Sequence, residues 1–134
     1  MKSRKEKNSG NIEPTKSELE ILQVLWRHGP NTVRFVNDLL NEEKRQVQYS
    51  STLKLMQIMA EKGILKRDEN QVKHIYSAAI EEQKCKSFLL DRFVDSLYNG
   101  SASNLMMQLV GNKKTSKTEL DAIRDLLNKL DNEK

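Results

Sequence analysis

The order in which the hydrophobic pattern changes along the chain constrains its fold more than any other feature. Between residues 15 and 62, apolar residues recur at helical spacing in three short segments. The period then shortens, and two strand-like segments, 64–67 and 73–77, flank the turn-forming residues 68–71. Three short helices followed by a hairpin with basic flanks predict a winged helix-turn-helix, a mainly α fold with a small β-hairpin wing.

Local signals predict where these helices begin and end. Thr15 and Glu18 match a capping box at the start of the first helix. The sequence His28-Gly29-Pro30 ends that helix, because glycine suits the terminal position and proline cannot continue the helix. Thr32 is placed to cap the second helix, and the third is predicted from about residue 48 to residue 62.

The remainder of the chain predicts a second domain made of helices. We divide the chain into a disordered basic arm (1–13), a winged helix-turn-helix domain (14–80) and a C-terminal helical dimerisation domain (81–134). Three helices in about 54 residues bury too little surface to fold alone. A second copy of the chain is the natural cover, since two-fold dimers are the commonest soluble oligomers. The apolar residues assigned to this homodimer interface are Phe88, Leu89, Phe93, Leu97, Leu105, Leu109, Leu120, Ile123, Leu127 and Leu130.

The charge distribution favours an anionic partner for the first domain. Residues 1–80 carry 14 Lys and Arg against 10 Asp and Glu, whereas residues 81–134 carry 9 of each. The whole net charge of +4 therefore lies in the first domain. Such an asymmetry is typical of an anion-binding module joined to a neutral one.

The sequence lacks the residues that several classes of function require. A chain with 5 Gly shows no glycine-rich phosphate loop, and its two histidines are not arranged with a nucleophile. The single Cys85 excludes an internal disulfide framework and a multi-cysteine metal site, and a small buried hydrophobe is favoured over a redox or ligand role. We therefore predict no catalytic residues, no metal and no cofactor. No apolar run is long enough to cross a bilayer, and we expect a cytoplasmic protein.

The third helix carries the residues expected to contact nucleic acid. In a helix-turn-helix, the second helix of the motif enters the major groove and its N-terminal residues meet base edges. Serine, glutamine and lysine side chains can bond base edges or phosphates. The polar residues that lie off the apolar stripe are Gln48, Ser50, Ser51, Lys54 and Gln57. The same pattern also fits an ordinary solvated helix face.

Other positions near this helix admit two interpretations each. Tyr49 either reaches a phosphate through its hydroxyl or packs its ring over the second helix. The basic residues of the hairpin either lie against backbone phosphates or are edge-strand charges that prevent aggregation; they are Lys66, Arg67, Lys73 and His74. A second function remains open at this point: a winged-helix module that binds protein, favoured by Leu55 and Ile58 beside the polar face.

Five segments resemble one family of regulators. They are Thr15–Trp26 (TKSELEILQVLW), Tyr49–Leu53 (YSSTL), Glu61–Leu65 (EKGIL), His74–Ser77 (HIYS) and Gly100-Ser101. In this order they are similar to the BlaI/MecI penicillinase-repressor family. The resemblance implies a dimeric winged-helix repressor that binds a palindromic double-stranded DNA operator.

The resemblance covers roughly residues 14–130 and includes departures. Where the family has Thr-Thr this chain has Ser50-Ser51, while Lys54 and Ile58 replace a threonine and an arginine, so DNA binding is expected but the family's operator sequence is not carried over. In some members a membrane-bound sensor metalloprotease triggers cleavage in the C-terminal domain, between an asparagine and a phenylalanine. The aligned residues here are Gln108 and Leu109. The cysteine cluster of copper-responsive members is absent, so copper sensing is not expected.

Overall fold

A computed structural model of the chain describes residues 13–111 and 115–132. The predicted disordered arm lies, apart from residue 13, outside the described residues. The chain divides into two compact units, Met1–Leu89 and Leu90–Lys134. The first unit extends beyond the domain boundary predicted at residue 80, and the separate roles assigned to the two domains stay predictions.

The first unit contains the predicted order of three helices and a hairpin. The helices are α1 (Lys16–His28), α2 (Val33–Glu43) and α3 (Tyr49–Glu61). The strands are β1 (Leu65–Asp68) and β2 (Ile75–Ala78), which pair antiparallel. This arrangement confirms the predicted winged helix-turn-helix.

The ends of α1 and α2 follow from the signals in the sequence. Thr15 Oγ1 accepts a hydrogen bond from Glu18 N at 3.2 Å, and Glu18 Oε1 accepts one from Thr15 N at 2.9 Å. These two bonds form the predicted capping box. Gly29 follows α1 with a φ of 84°, a conformation that favours glycine. Thr32 Oγ1 accepts from Phe35 N at 3.1 Å and caps α2.

One hydrophobic core joins the helices to the wing. Asn31, in the loop before α2, exchanges two backbone hydrogen bonds with Tyr76 of β2, at 2.8 and 2.9 Å. Trp26 packs against the core, and its Nε1 donates to the carbonyl of Ile80 at 2.9 Å. The buried residues of this core are Ile21, Leu22, Val24, Leu25, Val33, Val36, Leu40, Met56, Met59, Ile64, Leu65 and Tyr76.

A buried carboxylate connects the start of α1 to the end of α3. The Glu18 side chain is 3% exposed, and its Oε2 lies 2.7 Å from Lys62 Nζ. The other oxygen accepts the capping hydrogen bond from Thr15 N. Because a buried charge needs partners for all its polar atoms, Lys62 stabilises the packing of α3 against α1.

Replacing Lys62 with methionine is therefore expected to lower the free energy of unfolding by about 1.5–3 kcal/mol, the range for a hydrogen bond to a charged group. Urea denaturation followed by circular dichroism measures the change. Lys16→Met, at an exposed position of α1, is the matched control and is expected to change stability by less than about 0.5 kcal/mol. Equal stability of Lys62→Met and the parent protein would contradict this role for the ion pair.

The second unit is helical and buries very little. The long helix α4 (Glu82–Tyr98) contains the boundary between the units, and α5 (Ala102–Gly111) and α6 (Lys117–Asn132) follow. Among the side chains that the structure describes from residue 90 onward, only Val94 is buried, at 8% exposure. Val94 is not among the apolar residues predicted for the dimer interface.

Candidate nucleic-acid interface

Two asparagines fix the turn between α2 and α3. Asn37 is buried, and its Nδ2 donates to the Val47 carbonyl at 3.2 Å and to Thr52 Oγ1 at 2.7 Å. Asn41 Nδ2 donates to the same carbonyl at 2.9 Å, and its Oδ1 accepts from Val47 N at 3.0 Å. Since these bonds satisfy the backbone N–H and carbonyl of Val47 and join α2 to Thr52, they hold α3 at one angle to α2.

The outer face of α3 is polar and open to solvent. The residues predicted to contact DNA are all exposed there: Gln48, Tyr49, Ser50, Ser51, Lys54 and Gln57. The opposite face packs into the core through Thr52, Met56 and Met59. Leu55 packs partly against that core, whereas Ile58 is 37% exposed. The apolar surface suggested for a protein partner is therefore reduced largely to one side chain.

The N-terminus of α3 is suited to an anion. Gln48 is its N-cap but makes no capping hydrogen bond with its side chain, and the first turn contains no acidic residue. The first backbone N–H groups of a helix have no partner within the helix and point along its axis. Phosphate oxygens are suitable acceptors for them.

Arg34 is a basic residue of this surface that the sequence reasoning missed. Its guanidinium lies over the ring of Tyr49, 4.3 Å from the ring centroid, and the contact of the Tyr49 hydroxyl with phosphate stays a prediction. The pair borders a cleft of about 290 Å³ between α2, α3 and the wing. Its lining contains no acidic residue: Thr32, Val33, Arg34, Tyr49, Leu53, Val72, Lys73, His74 and Tyr76.

The wing presents its predicted basic residues in different environments. Lys66, Lys73 and His74 are exposed, and Lys66 borders a groove together with Gln57 of α3. Arg67 instead has partners within its own hairpin. A hydrogen bond with the Tyr76 side chain, and then the nearby carboxylate of Glu69, raise the pKa of Arg67 above its ordinary value.

Comparison with known proteins decides the family. The model of the penicillinase repressor family matches residues 14–129. The chain belongs to the penicillinase repressor family. This membership and the winged-helix fold make it a DNA-binding transcriptional repressor, and the family is not an enzyme family.

Individual relatives of this family member are distant. It is 24% identical over 119 residues to the methicillin resistance regulatory protein MecI of Staphylococcus epidermidis, covering 87% of this chain and 94% of that protein. Identity to the penicillinase repressor of Bacillus licheniformis is also 24%, over 121 residues, covering 88% and 91%. The structure of a MarR family protein from Bacillus stearothermophilus has a TM-score of 0.52 at 21% identity, covering 98% of this chain and 83% of that one. This last likeness supports the fold.

The family member leaves many apolar side chains of its C-terminal helices in contact with solvent. Of the residues predicted for the dimer interface, the half-buried ones are Phe88, Leu89, Leu105 and Leu120, and the exposed ones are Phe93, Leu97, Leu109, Ile123 and Leu127. The side chain of Leu130 lies outside the described residues. Large exposed side chains that the prediction missed include Leu90, Met107 and Leu126.

Other kinds of site are not apparent in the part of the repressor that the structure describes. Residues 13–111 and 115–132 contain no group of three or more His, Cys, Asp or Glu side chains placed to hold a metal ion. Within the same ranges, no helix is long and apolar enough to span a membrane. Cys85 is buried, and burial raises the pKa of its thiol, which keeps the thiol protonated at neutral pH.

Proposed function

We propose that this repressor binds a palindromic operator as a homodimer, with α3 of each protomer in one major-groove half-site. Ser50, Ser51 and Lys54 contact base edges or phosphates, as their exposed positions near the N-terminus of α3 allow. The observation that carries this proposal is the exposed polar face of α3, on a helix held in place by Asn37 and Asn41.

Phosphate contacts on both sides of α3 complete the proposed interface. On one side of α3, Arg34, Lys73 and His74 line the same cleft. Lys66 adds a cation beside Gln57. These contacts carry no sequence information, but they fix the position of α3 in the groove.

Dimerisation through the C-terminal unit is supported by its unusually exposed apolar residues. A unit in which the described side chains include one buried residue has too little core to hold three helices together. A second copy that covers the exposed leucines and methionines would supply the missing core. The dimer then sets the distance between the two half-sites at about one helical turn of DNA, or a multiple of it.

Induction is proposed to act on this dimer by proteolysis at Gln108 and Leu109. Both residues lie in α5, a ten-residue helix without buried side chains. Such a segment opens locally at low cost, and a protease requires an opened backbone. Mass spectrometry of the chain from induced cells should detect fragments ending near this bond. An intact chain at an induced promoter would contradict the proteolytic step.

A gel-shift titration tests the proposed function. The DNA is the promoter upstream of the protein's own gene, and a scrambled duplex of equal length is the control, each at two salt concentrations. We expect cooperative retardation of the promoter at concentrations where the scrambled duplex stays free. Equal, salt-sensitive retardation of both duplexes would contradict sequence-specific repression at this promoter. No retardation at low salt would favour the protein-binding module.

A further inference from the structure

The wing contains an ion pair at the surface proposed to meet DNA. Arg67 Nη2 lies 2.5 Å from Glu69 Oε2, and Arg67 pairs across the hairpin with Tyr76. Among the basic side chains of the candidate interface that the structure describes, Arg67 alone has a carboxylate partner, whereas Lys54, Lys66 and Lys73 have none.

We propose that Glu69 competes with DNA phosphate for Arg67 and so lowers the affinity of the repressor for every duplex. This inference rests on the proposed function, since it assigns a regulatory residue to the same interface. In the free protein Arg67 is held on the hairpin by a hydrogen bond with the Tyr76 side chain and by the Glu69 carboxylate, and only the carboxylate competes with phosphate. On the operator Arg67 exchanges this carboxylate for a phosphate oxygen.

A phosphate can replace the Glu69 carboxylate on the Arg67 guanidinium. Carboxylate and phosphate both accept two parallel hydrogen bonds from a guanidinium, so the two groups compete for one side of the Arg67 fork. An ion pair between side chains that are 34% and 53% exposed is screened by water and contributes little to stability. The hairpin therefore loses little when the pair opens.

Charge repulsion adds to the competition. If Arg67 moves to a phosphate, Glu69 is left as an unpaired anion close to the DNA backbone, which is unfavourable. The cost is the same for any sequence because phosphates are common to all duplexes. Glu69 thus restrains non-specific binding as strongly as operator binding.

The test is a set of variants measured by gel shift on the promoter and on the scrambled duplex. Glu69→Gln is expected to bind both duplexes roughly 3- to 10-fold more tightly at low salt. Its salt dependence should steepen by about one unit of slope, because the surface that meets the phosphates gains one net positive charge. In Arg67→Ala/Glu69→Gln the gain should disappear, because the freed guanidinium is missing.

Asp68→Asn is the matched control, one residue away. Asp68 Oδ1 accepts a hydrogen bond from Asn70 N at 2.9 Å, and an asparagine oxygen preserves this contact while removing the same charge. A gain in Asp68→Asn equal to that of Glu69→Gln, or a gain that survives the loss of Arg67, would overturn the proposal. So would unchanged affinity of Glu69→Gln with a parent-like melting temperature. If the parent protein retards neither duplex, the proposed function itself has failed.

Discussion

Replacing Leu97 with aspartate is expected to convert the proposed dimer to monomers and to weaken operator binding strongly. Leu97 is 63% exposed in the single chain, so an aspartate there costs little unless a partner covers the position. In the proposed dimer the carboxylate would be buried against apolar side chains without a counter-ion. That burial should raise the dimer dissociation constant by about 100-fold or more.

Sedimentation equilibrium of the variant measures the dissociation constant, and gel shift measures the effect on DNA. Ser96→Asp is the matched control, because it adds the same charge to the same turn of α4 at an exposed polar position. We expect this control to remain dimeric. A Leu97→Asp protein that sediments and binds like the parent would place the dimer interface elsewhere.

Lys54→Glu is expected to weaken operator binding strongly while leaving the proposed dimer intact. Lys54 projects from the outer face of α3, one turn after the N-terminus of that helix. Reversal of its charge removes one contact and places a carboxylate against bases or phosphates. The expected loss is about 1–3 kcal/mol or more, which is roughly 5- to 150-fold in the operator dissociation constant.

Lys16→Glu is the control for charge reversal, since it makes the same change at an exposed position in the first turn of α1. Its affinity should fall only slightly, through the change in net charge. Circular dichroism and thermal melting should be unchanged for both variants. If Lys54→Glu binds the operator as tightly as Lys16→Glu does, α3 is not the recognition helix.

Local signals accounted for much of the fold. The capping box at Thr15 and Glu18, the Thr32 cap and the stop at Gly29 each depend on residues within a few positions of each other. Such signals can be recognised in sequence because the interacting groups are close along the chain. The hairpin was predicted for the same reason, although its strands begin one or two residues later than expected.

The parts that sequence did not predict depend on contacts across elements. Arg34 lies in the first turn of α2 and becomes part of the interface only because Tyr49 of α3 comes to lie beneath it. The partnership of Arg67 with Tyr76 depends on the register of the two strands. No local pattern encodes either contact. The sequence therefore predicted a basic wing but did not show that Arg67 is already paired with Tyr76 and Glu69.

The C-terminal unit illustrates a different reason. Helical spacing placed the apolar residues Phe93 and Leu97 on one face of a helix. Spacing does not show whether such a face is buried within the chain or covered by a partner. The structure gives their exposure and reveals Val94, next to Phe93, as a buried residue of α4. Exposure depends on how the helices pack, which periodicity within one helix does not determine.

The mass of the protein–operator complex shows whether two chains of the repressor bind one operator site. Sedimentation equilibrium of a duplex carrying one mapped promoter site, with the repressor in slight excess, gives the number of chains bound. We predict that two chains bind each site and that their two C-terminal units form the dimer. A complex with a single chain at full operator affinity would contradict a homodimeric repressor that reads two half-sites.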